Sequence, residues 1–283
     1  VTLLDIERLK ISYGRGRKAT EIVHGVDLSV CAGETLGLVG ESGSGKTTIG
    51  RAVLGLVPSS GGTVTVDGKT VRASMNARER RDHAKSVQVI FQDPYTSLSP
   101  SLTIADTLAE PLIAQGLARR EATTRVSDLL DSVCLPKDSG SRLPREFSGG
   151  QRQRVAIARA LALRPKLIVC DEPVSALDLT TQSVILELLI DVQRRTGVGY
   201  LFISHDLAVV RHISHRVAVM YRGDIVEQGD TRAVTEQPQH DYTTRLLLAS
   251  PVADPQAQRR RRTAWLERGR QSKAHPEEIG SAT

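Results

Sequence analysis

Apolar positions along this chain fall into two rhythms. In the opening LLDIERLKISY, Leu4, Ile6, Leu9 and Ile11 are set among polar residues, the pattern of a half-buried strand. VHGVDLSV and ETLGLVG continue as strands, with the turn dipeptide Ala32-Gly33 between them. At GESGSGKTTIGRAVLGLV (40–57) the rhythm changes. Ile49, Val53 and Leu56 recur at helical spacing directly after a run of glycines, which predicts strand, glycine loop, helix. From 101 to 135, Leu108, Leu112, Ile113, Val126, Leu129, Leu130 and Val133 keep helical spacing. KLIVCDEP (166–173) and LFISHD (201–206) are short apolar runs ending in polar residues, as buried parallel strands do. At FSGGQRQR (147–154), bare glycines stand before VAIARALALR, which has the composition of a strong helix.

Composition narrows the class. With 283 residues, 40% hydrophobic and 25% charged, the chain reads as one large globular domain with a lobe, or as two domains. No apolar run approaches the roughly 20 residues of a membrane span, and no apolar N-terminal segment suggests a secretory signal, so a cytosolic location is expected. The net charge of +6 owes much to QRRRRTAWLERGR (258–270), read first as a solvated tail and second as a contact for acidic lipid or nucleic acid. Aromatic residues make up only 3%, too few for the stacking platforms of single-strand binders, so nucleic acid is a weak candidate partner. Cys31, Cys134 and Cys170 are scattered without metal-ligand spacing and read as small buried hydrophobes.

Chemistry enters at Gly40-Glu41-Ser42-Gly43-Ser44-Gly45-Lys46-Thr47-Thr48, which contains G-x-x-x-x-G-K-T. Glycines let successive backbone N–H groups curl around a polyphosphate, and the helix that follows aims its positive end at the same anion. Lys46 would reach the outer phosphates and Thr47 would suit a magnesium ion. At the carboxyl end of the run 167–170 stand Asp171 and Glu172, delivered to the crevice where open α/β sheets bind ligands. Asp171 is read as holding the metal and Glu172 as the general base that polarises an attacking water.

Together, the motifs at 40–47, 147–151 and 167–173 resemble those of the ABC-type ATPases, and the resemblance extends over nearly the whole chain. It implies an α/β fold of the P-loop NTPase class: a mixed sheet core, an N-terminal antiparallel β region and a helical lobe carrying the signature. The domain reading is an ATPase domain over 1–235 (core 1–100 and 160–235, lobe 101–159) and a C-terminal extension with a basic tail over 236–283. In the family, Ser148, Gly149, Gly150 and Gln151 would meet the γ-phosphate of ATP held by a second subunit; Phe147 stands where leucine is usual. The resemblance further assigns Tyr13 to stacking on adenine, Gln92 to magnesium and the attacking water, Asp178 to the dimer interface and His205 to the γ-phosphate.

DPYTSLSP (93–100) and the stretch 225–251 are similar to segments of the oligopeptide/dipeptide importer ATPases, with Ser99 in place of asparagine and Asp241 in place of proline. The cysteine cluster of many members is replaced here by the arginine run. The expected cofactors are ATP and Mg2+. Expected partners are a second cassette, identical or a sibling, membrane permease subunits and an extracytoplasmic substrate-binding protein, with the chain peripheral on the cytoplasmic face of the inner membrane. Two alternatives stay open: a soluble ABC-type ATPase acting on nucleic acid or ribosomes, and a nucleotide-binding regulator without turnover.

Overall fold

A computed structural model describes residues 1–249 apart from 15, 17, 18 and 94–97. The arginine run at 258–270 and the middle of DPYTSLSP therefore lie outside the described residues.

Among the described residues the strands form two sheets. The first is antiparallel in the order β2-β1-β4-β5, where β1 is Thr2–Tyr13, β2 Thr20–Cys31, β4 Gly61–Val66 and β5 Lys69–Thr70. The second has the order β10-β9-β3-β8-β7-β6. Its strands are β3 (Thr35–Val39), β6 (Val87–Ile90), β7 (Leu167–Asp171), β8 (Gly199–Ser204), β9 (Arg216–Tyr221) and β10 (Asp224–Asp230). All pairings in it are parallel except β9 with β10. This is the expected mixed core with an antiparallel β region. β3 and β8 are buried at every residue, which is why TLGLV and GYLFIS read as unbroken apolar runs.

Helix α1 (Lys46–Val53) packs between the sheets, and its Ile49 and Val53 join Leu38, Val169, Leu201 and Ile203 in one core. Burying each of these two side chains stabilises the fold by roughly 1.5–3 kcal/mol. The helix ends sooner than its periodicity predicts: Leu54 caps it, and Leu56 is 58% exposed. Gly55, at φ +68, turns the chain and takes Leu56 out of register with the buried stripe.

The opposite face of the second sheet carries the other core and the helical lobe. The stretch 101–135 is two helices, α3 (Ile104–Ala114) and α4 (Arg119–Ser132), broken at Gly116 with φ +96. Leu108, Leu112, Val126, Leu130 and Val133 are buried as expected, whereas Ile113 is exposed. Cys134 corrects the cysteine reading. It adopts φ +56 just past α4, which faces Leu135 inward and leaves Cys134 exposed; Cys170 is buried and Cys31 half-buried.

Helix α5 (Gly149–Leu161) spans the lobe boundary expected at 159. α6 (Leu179–Thr196) and α7 (Leu207–Ile213) complete this layer, followed by α8 (Thr231–Glu236) and α9 (Asp241–Ala249). α2 (Ala77–Ser86) has no fully buried residue and so shows no apolar stripe in the sequence. Its signal is the capping box of Asn76 and Glu79, each side chain accepting from the other's backbone N–H. Among the described residues no helix is long and apolar enough to cross a membrane.

Candidate nucleotide site

The glycine loop leaves β3 at Gly40 and enters α1 through Gly45, whose φ of +111 is open to glycine and strained for other residues. Gly40 is required for a second reason. A Cβ there would stand 2.1 Å from the carbonyl oxygen of Met220, so β9 backs directly onto the loop. The β9–β10 turn adds a hydrogen bond from Gly223 N–H to Ser44 O at 3.0 Å. On the other side, nothing lies within 4 Å of a Cβ built on Gly43. The loop is thus braced from behind and open in front, as a cradle for a polyphosphate must be.

Lys46 is 4% exposed. Its Nζ donates to Gly40 O at 2.8 Å and to Glu41 O at 2.7 Å, with Ser44 Oγ at 3.4 Å. Burial pushes its amine below the usual lysine range, and the carboxylates of Glu172, Asp171 and Glu41 oppose that shift. Ser42 is exposed and Thr48 half-buried beside it.

β7 delivers Asp171 to the same end of the sheet, where Thr47 Oγ1 donates to its Oδ1 at 3.0 Å. Burial raises the Asp171 carboxyl above the usual carboxylate range. The Thr47 hydrogen bond opposes this, the Glu172 charge adds to it, and Arg51 and Lys46 pull it back. A hydroxyl and a carboxylate at a phosphate loop form the hard oxygen pair that magnesium takes alongside phosphate oxygens. Among the described residues no cluster of three or more His, Cys, Asp or Glu is arranged to hold a metal by itself.

Glu172 follows in a left-handed conformation, φ +49, its N–H donating to Ile203 O at 3.0 Å. That backbone costs of order 1–3 kcal/mol for a non-glycine residue and aims the side chain out of the strand. Two groups converge on its Oε2: Gln92 Nε2 donates at 3.2 Å and His205 Nδ1 at 3.1 Å. Gln92 comes from just beyond β6 and His205 from just beyond β8, the strands on either side of β7. Three sequence-predicted residues therefore meet at one oxygen because three neighbouring parallel strands end together.

The signature residues form a separate cluster. Ser148 caps α5: its Oγ accepts from Gln151 N–H at 3.3 Å, and Gln151 Oε1 accepts from Ser148 N–H at 3.0 Å. Asp178 caps α6, accepting from Thr181 Oγ1 at 2.6 Å and Thr181 N–H at 3.0 Å, bonds that hold its carboxyl below the usual range. The two helix starts touch, since a Cβ on Gly150 would stand 2.4 Å from Thr181 Cγ2. Leu179, 80% exposed, sits on this surface with Val184. Among the described residues the side-chain bonds of Ser148, Gln151 and Asp178 stay within this cluster, and none reaches the phosphate loop of the same chain. Phe147 is buried in the lobe core. Tyr13 ends β1 as an exposed ring, next to residues outside the described set.

Residues that the sequence reading missed lie behind the loop: Met220, Gly223 and Tyr242, whose Oη accepts from Glu41 N–H at 2.9 Å. No local pattern announces a contact across 201 residues.

The family model described as ABC transporter matches residues 23–175. The glutathione import ATP-binding protein GsiA of Escherichia coli O157:H7 is 51% identical over 261 residues, covering 91% of this chain and 42% of that protein. GsiA of Salmonella choleraesuis (strain SC-B67) is 50% identical over an equal length. The chain thus spans about two fifths of the length of the curated relatives it matches. Among solved structures, the ATP-binding cassette MJ0796, in a dimeric post-hydrolysis state bound to ADP and Pi, superposes with a TM-score of 0.72 at 27% identity. That match covers 81% of this chain and 99% of the other. CbiO1 from Clostridium perfringens, part of the ABC transporter complex cbiONQ, gives 0.75 at 26% identity, covering 83% and 91%.

Proposed function

The chain belongs to the ABC transporter family, and on that premise we propose that it is the ATP-hydrolysing subunit of an importer of the oligopeptide/dipeptide class. The observation that carries this reading is the convergence of Gln92 and His205 on the Glu172 carboxylate, beside the Thr47–Asp171 pair.

Lys46 and the loop N–H groups hold the phosphates of ATP. Lys46 is already buried among oxygens, so a phosphate oxygen replaces carbonyl acceptors without a new desolvation cost. Thr47 and Asp171, with Gln92 at hand, would hold magnesium, which when bound would supply positive charge against the phosphates. Glu172 takes a proton from the attacking water; Gln92 and His205 fix its carboxylate, so orientation is settled before the water arrives.

The signature cluster serves the partner subunit. Ser148 sits at the N-terminus of a 13-residue helix, where N–H groups and partial positive charge favour an anion. Its bonds stay inside its own cluster, and Leu179 is exposed next to Asp178, which supports a surface that meets another cassette. The dimeric cassette among the structural relatives supports the same arrangement. Two chains, identical or siblings, would close head-to-tail on two ATPs, with Asp178 at the contact and Tyr13 against adenine.

Membrane permease subunits, an extracytoplasmic substrate-binding protein and a position on the cytoplasmic face of the inner membrane follow as parts of the proposal. The relative named for glutathione import supports a cargo of peptide character. Phosphate release from ATP in the presence of magnesium tests the reading, with stimulation by membrane subunits expected. Absence of both would overturn it.

A further inference from the structure

We infer that Tyr242, on α9, the last described helix, is a positioning residue of the phosphate loop, holding the peptide plane whose carbonyl anchors Lys46. Glu41 N–H donates to Tyr242 Oη at 2.9 Å, and the carbonyl of that same peptide unit, Gly40 O, accepts from Lys46 Nζ at 2.8 Å. In a planar trans peptide the N–H and C=O point in opposite directions. The phenol therefore grips one edge of the plane and the phosphate-binding amine the other. Rotating that plane would break both bonds at once.

Tyr242 is itself fixed from elsewhere. Its side chain is 2% exposed, and its ring stacks on Tyr221 at 4.2 Å with a 32° tilt. Tyr221 ends β9, directly after the Met220 whose carbonyl backs Gly40. The approach to α9 is moored separately. Glu227 on β10 accepts from Gln239 N–H at 2.8 Å and His240 N–H at 3.1 Å, and His240 Nδ1 accepts from Tyr242 N–H at 3.1 Å. The described part of the C-terminal extension thus reaches the loop through one hydroxyl set in a rigid mount.

A loop held in one conformation loses less freedom when a ligand arrives, so a preorganised plane shows itself as affinity. Tyr242 meets the loop at the Glu41 N–H. It acts on the site through Glu41, and through it the C-terminal segment is coupled to nucleotide affinity.

This inference rests on the reading of the loop as a nucleoside triphosphate site. The test uses the full 283-residue chain and Tyr242→Phe, which keeps the stacked ring and removes the acceptor. Calorimetric titration with ATP and magnesium should give a Kd raised about fivefold, the change expected for loss of one net hydrogen bond. KM should rise in parallel while kcat stays within about twofold, the pattern of lost ground-state positioning. A thermal midpoint lowered without nucleotide, together with an unchanged Kd, would make Tyr242 merely structural and overturn the inference. Independently of any variant, the Glu41 amide of the nucleotide-free wild type should be protected from hydrogen exchange; rapid exchange there would overturn it as well. Wild type that binds no ATP would fall instead on the triphosphate reading, and would take the inference with it.

Discussion

His205 Nδ1 donates to Glu172 Oε2 across 3.1 Å, joining the ends of β8 and β7 over the mouth of the phosphate loop. The same oxygen accepts from Gln92, so the carboxylate is oriented from two sides. Replacing Glu172 with Gln keeps its shape and removes its basicity. ATP binding should stay within about twofold of wild type while hydrolysis slows by on the order of a hundredfold or more. Single-turnover phosphate release checks this, and near-normal turnover would remove Glu172 from the role of base.

Lys46→Ala should weaken ATP binding at least tenfold, about 1.4 kcal/mol or more, because it deletes the one buried cation in the cradle and leaves the carbonyls of Gly40 and Glu41 without it. Equilibrium titration with a fluorescent ATP analogue reads the change directly. An unchanged Kd would place the phosphates somewhere else.

Ser148 separates local from shared roles. Ser148→Ala removes the acceptor for Gln151 N–H and should cost about 1 kcal/mol of stability, as loss of an N-cap does. Ser148→Arg should also block the end of α5 that is proposed to meet the partner's phosphate, abolishing steady-state hydrolysis while leaving ATP affinity of the isolated chain unaltered. Loss of affinity in the isolated chain would mean that the signature serves its own loop.

A pH dependence follows from His83, which tethers α2 to the end of α1: its Nε2 donates to Val53 O at 3.0 Å. Burial lowers its pKa from 6.5, with the hydrogen bond to Val53 opposing, so the folded protein favours the neutral ring. Below 6.5 the unfolded chain takes up the proton first. The stability His83 contributes is therefore present above 6.5 and lost as pH falls through the lower folded value. Thermal midpoints measured from pH 7.5 downward should fall more steeply for wild type than for His83→Gln, which keeps a donor without titrating. Identical slopes would contradict the assignment.

The motifs were legible because their information is local. Gly40 to Thr48 and the Asp171–Glu172 pair need only a neighbouring apolar run to be placed on a strand end. Strand identity was legible for the same reason, since β3, β7 and β8 are apolar runs bounded by turn residues or acids. What stayed hidden was set by tertiary partners or by absent periodicity. α2 has no fully buried residue, so it left only a capping box. Leu56 kept helical spacing although Gly55 had already ended the packing. Cys134 followed a helical stripe yet turned outward at φ +56. The grip of Tyr242 on Glu41 depends on where β9 and β10 bring α9, which no short window of sequence contains.

On the proposed reading, one bound triphosphate is held by the lysine loop of one chain and the capped glycine helix of another. Light scattering of Glu172→Gln, with ATP and magnesium, measures it most directly. The expected result is twice the chain mass with ATP, by itself or mixed with a sibling cassette, the single-chain mass with ADP, and the single-chain mass with ATP once Ser148→Arg is added. A mass that ATP leaves unchanged, both alone and mixed with a sibling cassette, or a dimer that forms as well with Ser148→Arg, would contradict it.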